Sequence, residues 1–424
     1  MKTYDYCIIG GGFQGLSLAY ELSKKNKIVL IEGNEKLGGV LSSFKLGKSY
    51  LEDYYHHFFI QDKHLISLLN ELGLADKIIW KTVKSGFNYE NRTYPFCSPL
   101  DLLFFKPLGW KDRLIFPLFM LKIKMAKLEK VSQESSKDWI VGNSTTNIYK
   151  KLFEPLIINK FGVDELEEIS AEWFISRIKL RSSVKAGGEV LGYPDGGWQQ
   201  IIDRLEELIK RNGGDIIISN KFVKFKAKKR KIQYLISQKG KIYSTNFIST
   251  IPPKITFNGL KVPKGYIAPA RYQGSVCMIV GLNKKVSDIY WTNLVVDDCP
   301  FRAVIEHTNL VDKERYGMNV VYLASYHPIN SPIWEKKEKE ITPEFIDGLK
   351  KLFQHIKDED IVYERLSREK YAGILGNKDF FKNKIPYKTP FDNLYSIGMF
   401  NAYPERGTGI QAEMTSKFLS SLKE

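Results

Sequence analysis

One stretch, from Tyr4 to Glu32, limits what this chain can fold into more than any other. Tyr4-Asp5-Tyr6-Cys7-Ile8-Ile9 is short, aromatic and β-branched, and glycine bounds it, so it reads as a buried strand. Gly10-Gly11-Gly12-Phe13-Gln14-Gly15 follows at once, and Leu16, Ala19 and Leu22 recur at helical spacing. Lys27 to Ile31 is the next strand and ends at Glu32. Gly10 lets the chain turn tightly, Gly12 lets a pyrophosphate approach the backbone, and Gly15 lets the helix lie close to the strand. The helix N-terminus offers unpaired N–H groups and a partial positive charge to phosphates. The Glu32 carboxylate stands where it can accept both hydroxyls of an adenosine ribose. A strand, this turn with Phe13 and Gln14 in it, a helix and an acid together make a dinucleotide-binding fingerprint. The competing reading is a glycine-rich βαβ turn that binds nothing.

A second glycine pair follows the acid, in Leu37-Gly38-Gly39-Val40-Leu41-Ser42-Ser43-Phe44. This run resembles the amino terminus of the flavin amine oxidase superfamily, which includes monoamine oxidases, protoporphyrinogen oxidases, phytoene desaturases and, more distantly, UDP-galactopyranose mutase. The resemblance implies non-covalent FAD, with Gly38, Gly39, Val40 and Ser42 along its diphosphate. Many members carry an arginine where this chain has Val40. Gly192 to Gln200 and Asn246 to Pro253 resemble the superfamily's returns to the flavin domain, and Val223 occupies the place of its adenine-edge backbone contact. Gly398 and the helix opening Gly409-Ile410-Gln411 match the segment whose N-terminus faces the flavin pyrimidine, and Arg406 lies just before it. The implied fold class is α/β. A discontinuous Rossmann-like FAD domain of amine-oxidase type (1–52, 191–258, 370–424) is interleaved with an α+β substrate domain (53–190, 259–369).

The chain has 424 residues, 43% of them apolar, enough for two domains. The first strand starts almost at Met1, so no signal peptide is expected, and no apolar run is long enough to cross a membrane. Cys7, Cys97, Cys277 and Cys299 are scattered and form no CxxC, which points to a reducing cytoplasm and to no metal site. The formal charge is +16, concentrated in Lys221 to Lys231. Interleaved Phe222, Val223 and Phe225 favour a hairpin with a solvated basic face over a nucleic-acid patch. A positive field would gather an anionic substrate.

Candidate substrate-side residues are fewer. His57, in Tyr50 to Phe59, resembles a mutase histidine beside the flavin; the alternative is a packing role, and His56 should face the other way on a strand. Leu100 to Lys127 is basic and apolar, with Pro107 and Pro117. It reads as short helices covering the cavity in preference to a peripheral membrane contact. Arg177 and Arg181 share a helix face and can clamp a phosphate or carboxylate. Tyr326 and Glu306 are cavity candidates.

A single dinucleotide fingerprint favours direct reduction of the flavin by a small-molecule substrate, with the electron acceptor left open. The resemblance therefore implies an FAD-dependent oxidoreductase moving a hydride to flavin N5. The alternative is a redox-neutral nucleotide-sugar mutase. Against the mutase, Gly398-Met399-Phe400-Asn401-Ala402-Tyr403 lacks the arginine such enzymes place just after the glycine.

Overall fold

The computed structural model describes residues 2–181, 184–185, 188–296, 298–378, 380–404 and 407–422. The amino-terminal part runs β1 (Thr3–Ile9), α1 (Phe13–Ser23), β2 (Ile28–Ile31), β3 (Ser43–Leu46), β4 (Ser49–Glu52), β5 (Phe58–Phe59) and α2 (Lys63–Glu71). Next come β6 (Ile78–Val83), β7 (Ser85–Tyr89) and β8 (Arg92–Pro95). A helical region follows: α3 (Pro99–Phe104), α4 (Trp110–Met125), α5 (Ser136–Asn143), α6 (Thr146–Ile148), α7 (Glu154–Phe161) and α8 (Ala171–Leu180). The chain continues through β9 (Val184–Lys185), β10 (Gly188–Pro194), α9 (Gln199–Arg211), β11 (Asp215–Ile217), β12 (Phe222–Lys228), β13 (Lys231–Ser237), β14 (Gly240–Ser249) and α10 (Pro253–Thr256). It closes with β15 (Tyr272–Leu282), β16 (Trp291–Val295), β17 (Ala303–Glu306), β18 (Asn319–Pro328), α11 (Glu338–Leu352), β19 (Ile361–Ile374), α12 (Phe380–Asn383), β20 (Leu394–Ser396) and α13 (Thr408–Ser421).

Two large sheets divide the molecule. The first has the order β11-β2-β1-β14-β13-β12, with β20 beside β14. Its centre is parallel: β1 pairs with both β14 and β2, as crossover helices require. Strand β2 is buried at every position, and the apolar run Ile28–Ile31 fits a strand covered on both faces. Helix α1 packs against α9 and α13. The second sheet, β19-β15-β18-β17-β16-β7-β8, is antiparallel except for β16 beside β7. It brings residues from three separate stretches of sequence, 85–95, 272–328 and 361–374, to one wall. A smaller sheet joins β5, β10 and β6 with β9 at its side. Strand β10, buried throughout, crosses the expected boundary at 190/191, and β19 runs past 369 to Ile374.

Trp80 to Val83 pairs with β10, and the hairpin that follows is β7–β8, turning at Glu90 and Asn91, both at positive φ. Two local expectations need correction. Pro117 does not end a helix but sits inside α4, because Phe116, Phe119 and Ile123 anchor that helix in the core on either side of it. His56 and His57 lie on irregular backbone ahead of β5, so strand alternation does not separate them. The basic stretch 221–231 forms the hairpin β12–β13, with Phe222 and Phe225 buried and Lys224, Lys226 and Lys228 exposed.

Candidate functional site

The two glycine turns form one cradle. Gly10 has φ +106°, which takes the chain out of β1. A Cβ on Gly15 would overlap the Gly10 carbonyl oxygen, so only glycine lets α1 start this close to the strand. Gly38, at φ +110°, donates its N–H to the Gly11 carbonyl at 2.8 Å and bridges to Gly12, which ties the second turn to the first. Glu32 locks the arrangement. Its Oε2 accepts from the Gly11 N–H at 2.6 Å and its Oε1 from the Asn34 N–H at 2.8 Å. Each oxygen keeps a second lone pair for a ligand hydroxyl.

The cradle is built to receive something. A Cβ on Gly12 would make only ordinary contacts, with the Gly39 Cα at 3.9 Å and the Gly38 carbonyl oxygen at 4.0 Å, and Gly12 lines the open space of the cavity. Gly12 caps α1 without a side-chain hydrogen bond, leaving the positive end of an 11-residue helix facing that space. Gln14 is buried; its Nε2 donates to Thr415 Oγ1 at 2.6 Å, but its Oε1 has no partner. A buried acceptor left so is costly unless a ligand completes it. Gly10, Gly12, Phe13, Gln14, Glu32, Gly38, Gly39 and Val40 line the cavity, as do Lys221, Phe222, Thr250 and Gln411. A dinucleotide fits this donor set: a helix end and backbone amides for phosphates, a carboxylate for a ribose.

Other expected contacts fall elsewhere. The Ser42 N–H closes the turn onto Gly39, and Ser42 is not among the lining residues. The Val223 side chain points outward, 45% exposed, while Phe222 takes the inward place on β12; the contact expected of Val223 is through its backbone and does not depend on that side chain. Gly398 and Ile410 are also off the cavity. Gly409 is needed for packing, since a Cβ there would overlap the Asp62 carboxylate at the start of α2. The N-terminal end of α13 still reaches the cavity through Gly407, Thr408 and Gln411. Arg406 lies outside the described residues.

From the cradle the same cavity, about 1010 Å³ in all, continues into a second chamber between the two large sheets. His57 lines it; its Nδ1 lies 3.0 Å from Tyr290 Oη, and its ring meets Phe59, Tyr290 and Trp291 edge-on. His56 lines it too, with Nδ1 2.7 Å from the Tyr54 carbonyl. Arg177 on α8 and Arg181 at its C-cap, one turn on, both line the chamber, and the Arg181 guanidinium sits 5.3 Å from the Trp291 ring centroid. Tyr326 is present, hydrogen-bonded through its hydroxyl to Tyr55 and with Lys160 5.8 Å from its ring centroid. Glu306 is not: it is fully buried behind the wall, accepting from the Val286 and Ser287 N–H groups. No periodicity marked Tyr54, Tyr55, Lys160, Trp291, Arg302 or Glu369, which the sheets bring to the same chamber.

The electrostatics are lopsided. Lys160, Arg177, Arg181 and Arg302 face a single lining carboxylate on this side, Glu369. Burial, helped by Arg181 and Arg177, holds the His57 pKa well below its ordinary value, so its imidazole is neutral near pH 7. Burial lowers His56 to about 4. Burial pushes the Glu189 carboxyl up, against the pull of Arg181 and Arg177. Such a chamber is chemically suited to an anion set against neutral hydrogen-bonding groups and aromatic faces. Among the described residues, no three His, Cys, Asp or Glu side chains are placed to hold a metal ion, and all four cysteines are free.

Comparison with known proteins agrees with this geometry. Residues 8–72 match the model of the NAD(P)-binding Rossmann-like domain. Over 100 residues the chain is 34% identical to coproporphyrinogen III oxidase of Mycobacterium bovis, a match spanning 22% of each protein, so about a fifth of that relative's length. Over whole chains it superposes on a candidate protoporphyrinogen oxidase from Exiguobacterium sp. (TM-score 0.78, 16% identity, 100% of this chain and 99% of that one). Reduced UDP-galactopyranose mutase is similar as well (TM-score 0.73, 16% identity, 100% and 95%). At those identities the likeness is one of fold. The chain is thus a mixed α/β protein with an NAD(P)-binding Rossmann-like domain, in a fold of the amine-oxidase and protoporphyrinogen-oxidase type.

Proposed function

We propose that the chain is an FAD-dependent oxidoreductase whose substrate is a small anionic molecule. One observation carries the reading: a single cavity joins the diphosphate-and-ribose cradle to a chamber of four cations and several aromatic rings. The residues that would hold FAD are the backbone of Gly10, Gly12, Gly38 and Gly39, the Glu32 carboxylate, Gln14, Lys221 and the α13 N-terminus. Bound there, FAD would supply a two-electron hydride acceptor.

The chain's own residues do the rest. Arg177 and Arg181 orient the anionic end of the substrate, and their planar guanidinium groups suit a carboxylate or phosphate. Trp291, over which the Arg181 guanidinium lies, and the Tyr55–Tyr326 pair add apolar and hydrogen-bonding surface to the same chamber. His57 remains neutral, and either atom of its Nδ1–Tyr290 Oη hydrogen bond can donate; in the tautomer in which Tyr290 donates, Nε2 carries the proton and can donate to the substrate. Anaerobic titration of the FAD-loaded protein with anionic amines and porphyrinogens tests this by bleaching of the flavin band. A protein that cannot be reconstituted with FAD, or whose flavin none of these reduces, counts against the reading.

A second reading, redox-neutral rearrangement of a nucleotide sugar, is favoured by the same arginines and tyrosines, which suit a diphosphate. Dithionite-reduced protein incubated with UDP-galactopyranose, followed by a search for the ring-contracted isomer, separates the two.

A further inference from the structure

Helix α4 is apolar on two opposite faces. Phe116, Phe119 and Ile123 are buried in the aromatic cluster with Trp139, Phe153 and Phe174. Trp110, Leu114, Leu118, Leu121 and Met125 lie on the other side, 53% to 71% exposed. At about 100° per residue these five fall within about 80° of arc, opposite the buried stripe. The preceding helix α3 adds Leu100, Leu103 and Phe104, 53% to 73% exposed. Among the described residues, these two short helices hold eight of the seventeen exposed large apolar side chains. Core packing needs one apolar face, so the second has no folding role to account for it.

The charges around this face have one sign. On the same helical projection Lys111 and Lys122 flank the apolar stripe on one side, and Lys124 and Arg113 on the other. Between residues 100 and 130 stand Lys106, Lys111, Arg113, Lys122, Lys124, Lys127 and Lys130, against Asp101, Asp112 and Glu129. Two of the acids are engaged inward: Asp112 is buried and accepts from Thr145 and Asn147, and Asp101 accepts from the Cys97 N–H at 2.9 Å. No described helix is long and apolar enough to cross a membrane.

We propose that α3 and α4 dock this protein on the surface of an anionic phospholipid bilayer, with α4 lying flat in the interface. The apolar stripe enters the acyl boundary, Trp110 sits at headgroup level, and the flanking lysines meet lipid phosphates. Both faces of α4 are then used: the inner one covers the chamber wall through Phe119 and Phe174, and the outer one faces lipid. Phe153 and Phe174, in ring contact, separate this surface from the cavity they line.

The test is flotation of the full chain with vesicles of phosphatidylcholine alone or with 30% phosphatidylglycerol. The expected result is partition onto the phosphatidylglycerol vesicles, weakened severalfold by 0.5 M salt, since screening shortens the reach of surface charge to about 4 Å. The double variant Leu114→Gln, Leu118→Gln should lose partition at least tenfold, with unchanged circular dichroism and thermal unfolding. The triple variant Lys111→Ala, Lys122→Ala, Lys124→Ala should lose only the anionic preference. Brominated lipid should quench emission of the unmodified chain more than that of Trp110→Phe. No partition onto either vesicle, or partition the leucine variant leaves intact, overturns the proposal. A dimer in light scattering that the leucine variant splits, without vesicle binding, also overturns it and assigns the face to a second copy of the chain.

Discussion

Replacing Gly12 with valine separates what this glycine does for the fold from what it does for a ligand. Its φ and ψ, −72° and 176°, are open to any residue. A Cβ would sit 3.9 Å from the Gly39 Cα and 4.0 Å from the Gly38 carbonyl oxygen, both ordinary contacts. The unliganded fold should therefore lose only helix-cap quality, about 1 kcal/mol. The same methyl groups fill the gap between the two glycine turns, where a diphosphate would lie against the α1 N-terminus. Losing two charge-assisted hydrogen bonds at about 1.5–3 kcal/mol each comes to about 3–6 kcal/mol. At 1.4 kcal/mol per decade, FAD binding should weaken by about two to four powers of ten. The assay is flavin-fluorescence titration of the stripped protein, with its thermal midpoint measured in parallel. A dissociation constant within threefold of the unmodified protein would refute the placement of the diphosphate. A midpoint lowered by ten degrees would refute the claim that Gly12 is free of packing duty.

The neighbouring Gly15→Ala change should do the reverse, lowering the unfolding free energy by about 1–3 kcal/mol in chemical denaturation, because its Cβ meets the rigid Gly10 carbonyl. Arg181→Ala should weaken binding of an anionic substrate or inhibitor roughly tenfold or more while leaving FAD affinity within twofold, read by calorimetry on the loaded protein; an unchanged inhibitor constant would remove Arg181 from the site. Glu52 is fully buried among the Trp198 N–H and the Tyr193 hydroxyl, and burial raises its carboxyl to about 7 from an ordinary 4.5. The folded state then keeps the proton longer than the unfolded state, so this group's contribution is present below pH 4.5 and lost as pH rises through 7. At 1.36 kcal/mol per unit the loss is about 3 kcal/mol; urea unfolding of Glu52→Gln at pH 5 and pH 8 should show that part of the decline gone, and an identical decline in both proteins would refute the assignment.

The opening fold was legible in the sequence because its determinants are local. Gly10, Gly15 and Glu32 act within one strand–turn–helix–strand unit, and each is where elementary sterics and hydrogen bonding place it. The basic stretch 221–231 was legible for the same reason, since apolar residues interleaved with lysines specify a hairpin with one wet face; that Phe222 and Phe225, three apart, are both buried comes from an irregularity in the strand pairing between them. Arg177 and Arg181 could be paired in advance by helical spacing alone.

The chamber is a different matter. Lys160 comes from α7, Trp291 from β16, Arg302 from the approach to β17 and Glu369 from β19, and no local pattern distinguishes these residues from any other lysine, tryptophan, arginine or glutamate. Only the register of the seven-stranded sheet and the helices packed beside it decides that they share a cavity while Glu306 turns away into the wall. Likewise, composition showed that Leu100 to Lys127 was apolar and basic, but not that burial would use one face of α4 and leave another bare. A motif whose parts touch their sequence neighbours can be read from the chain itself. Side chains that meet across hundreds of residues acquire a role only when long-range pairing and packing have set their positions.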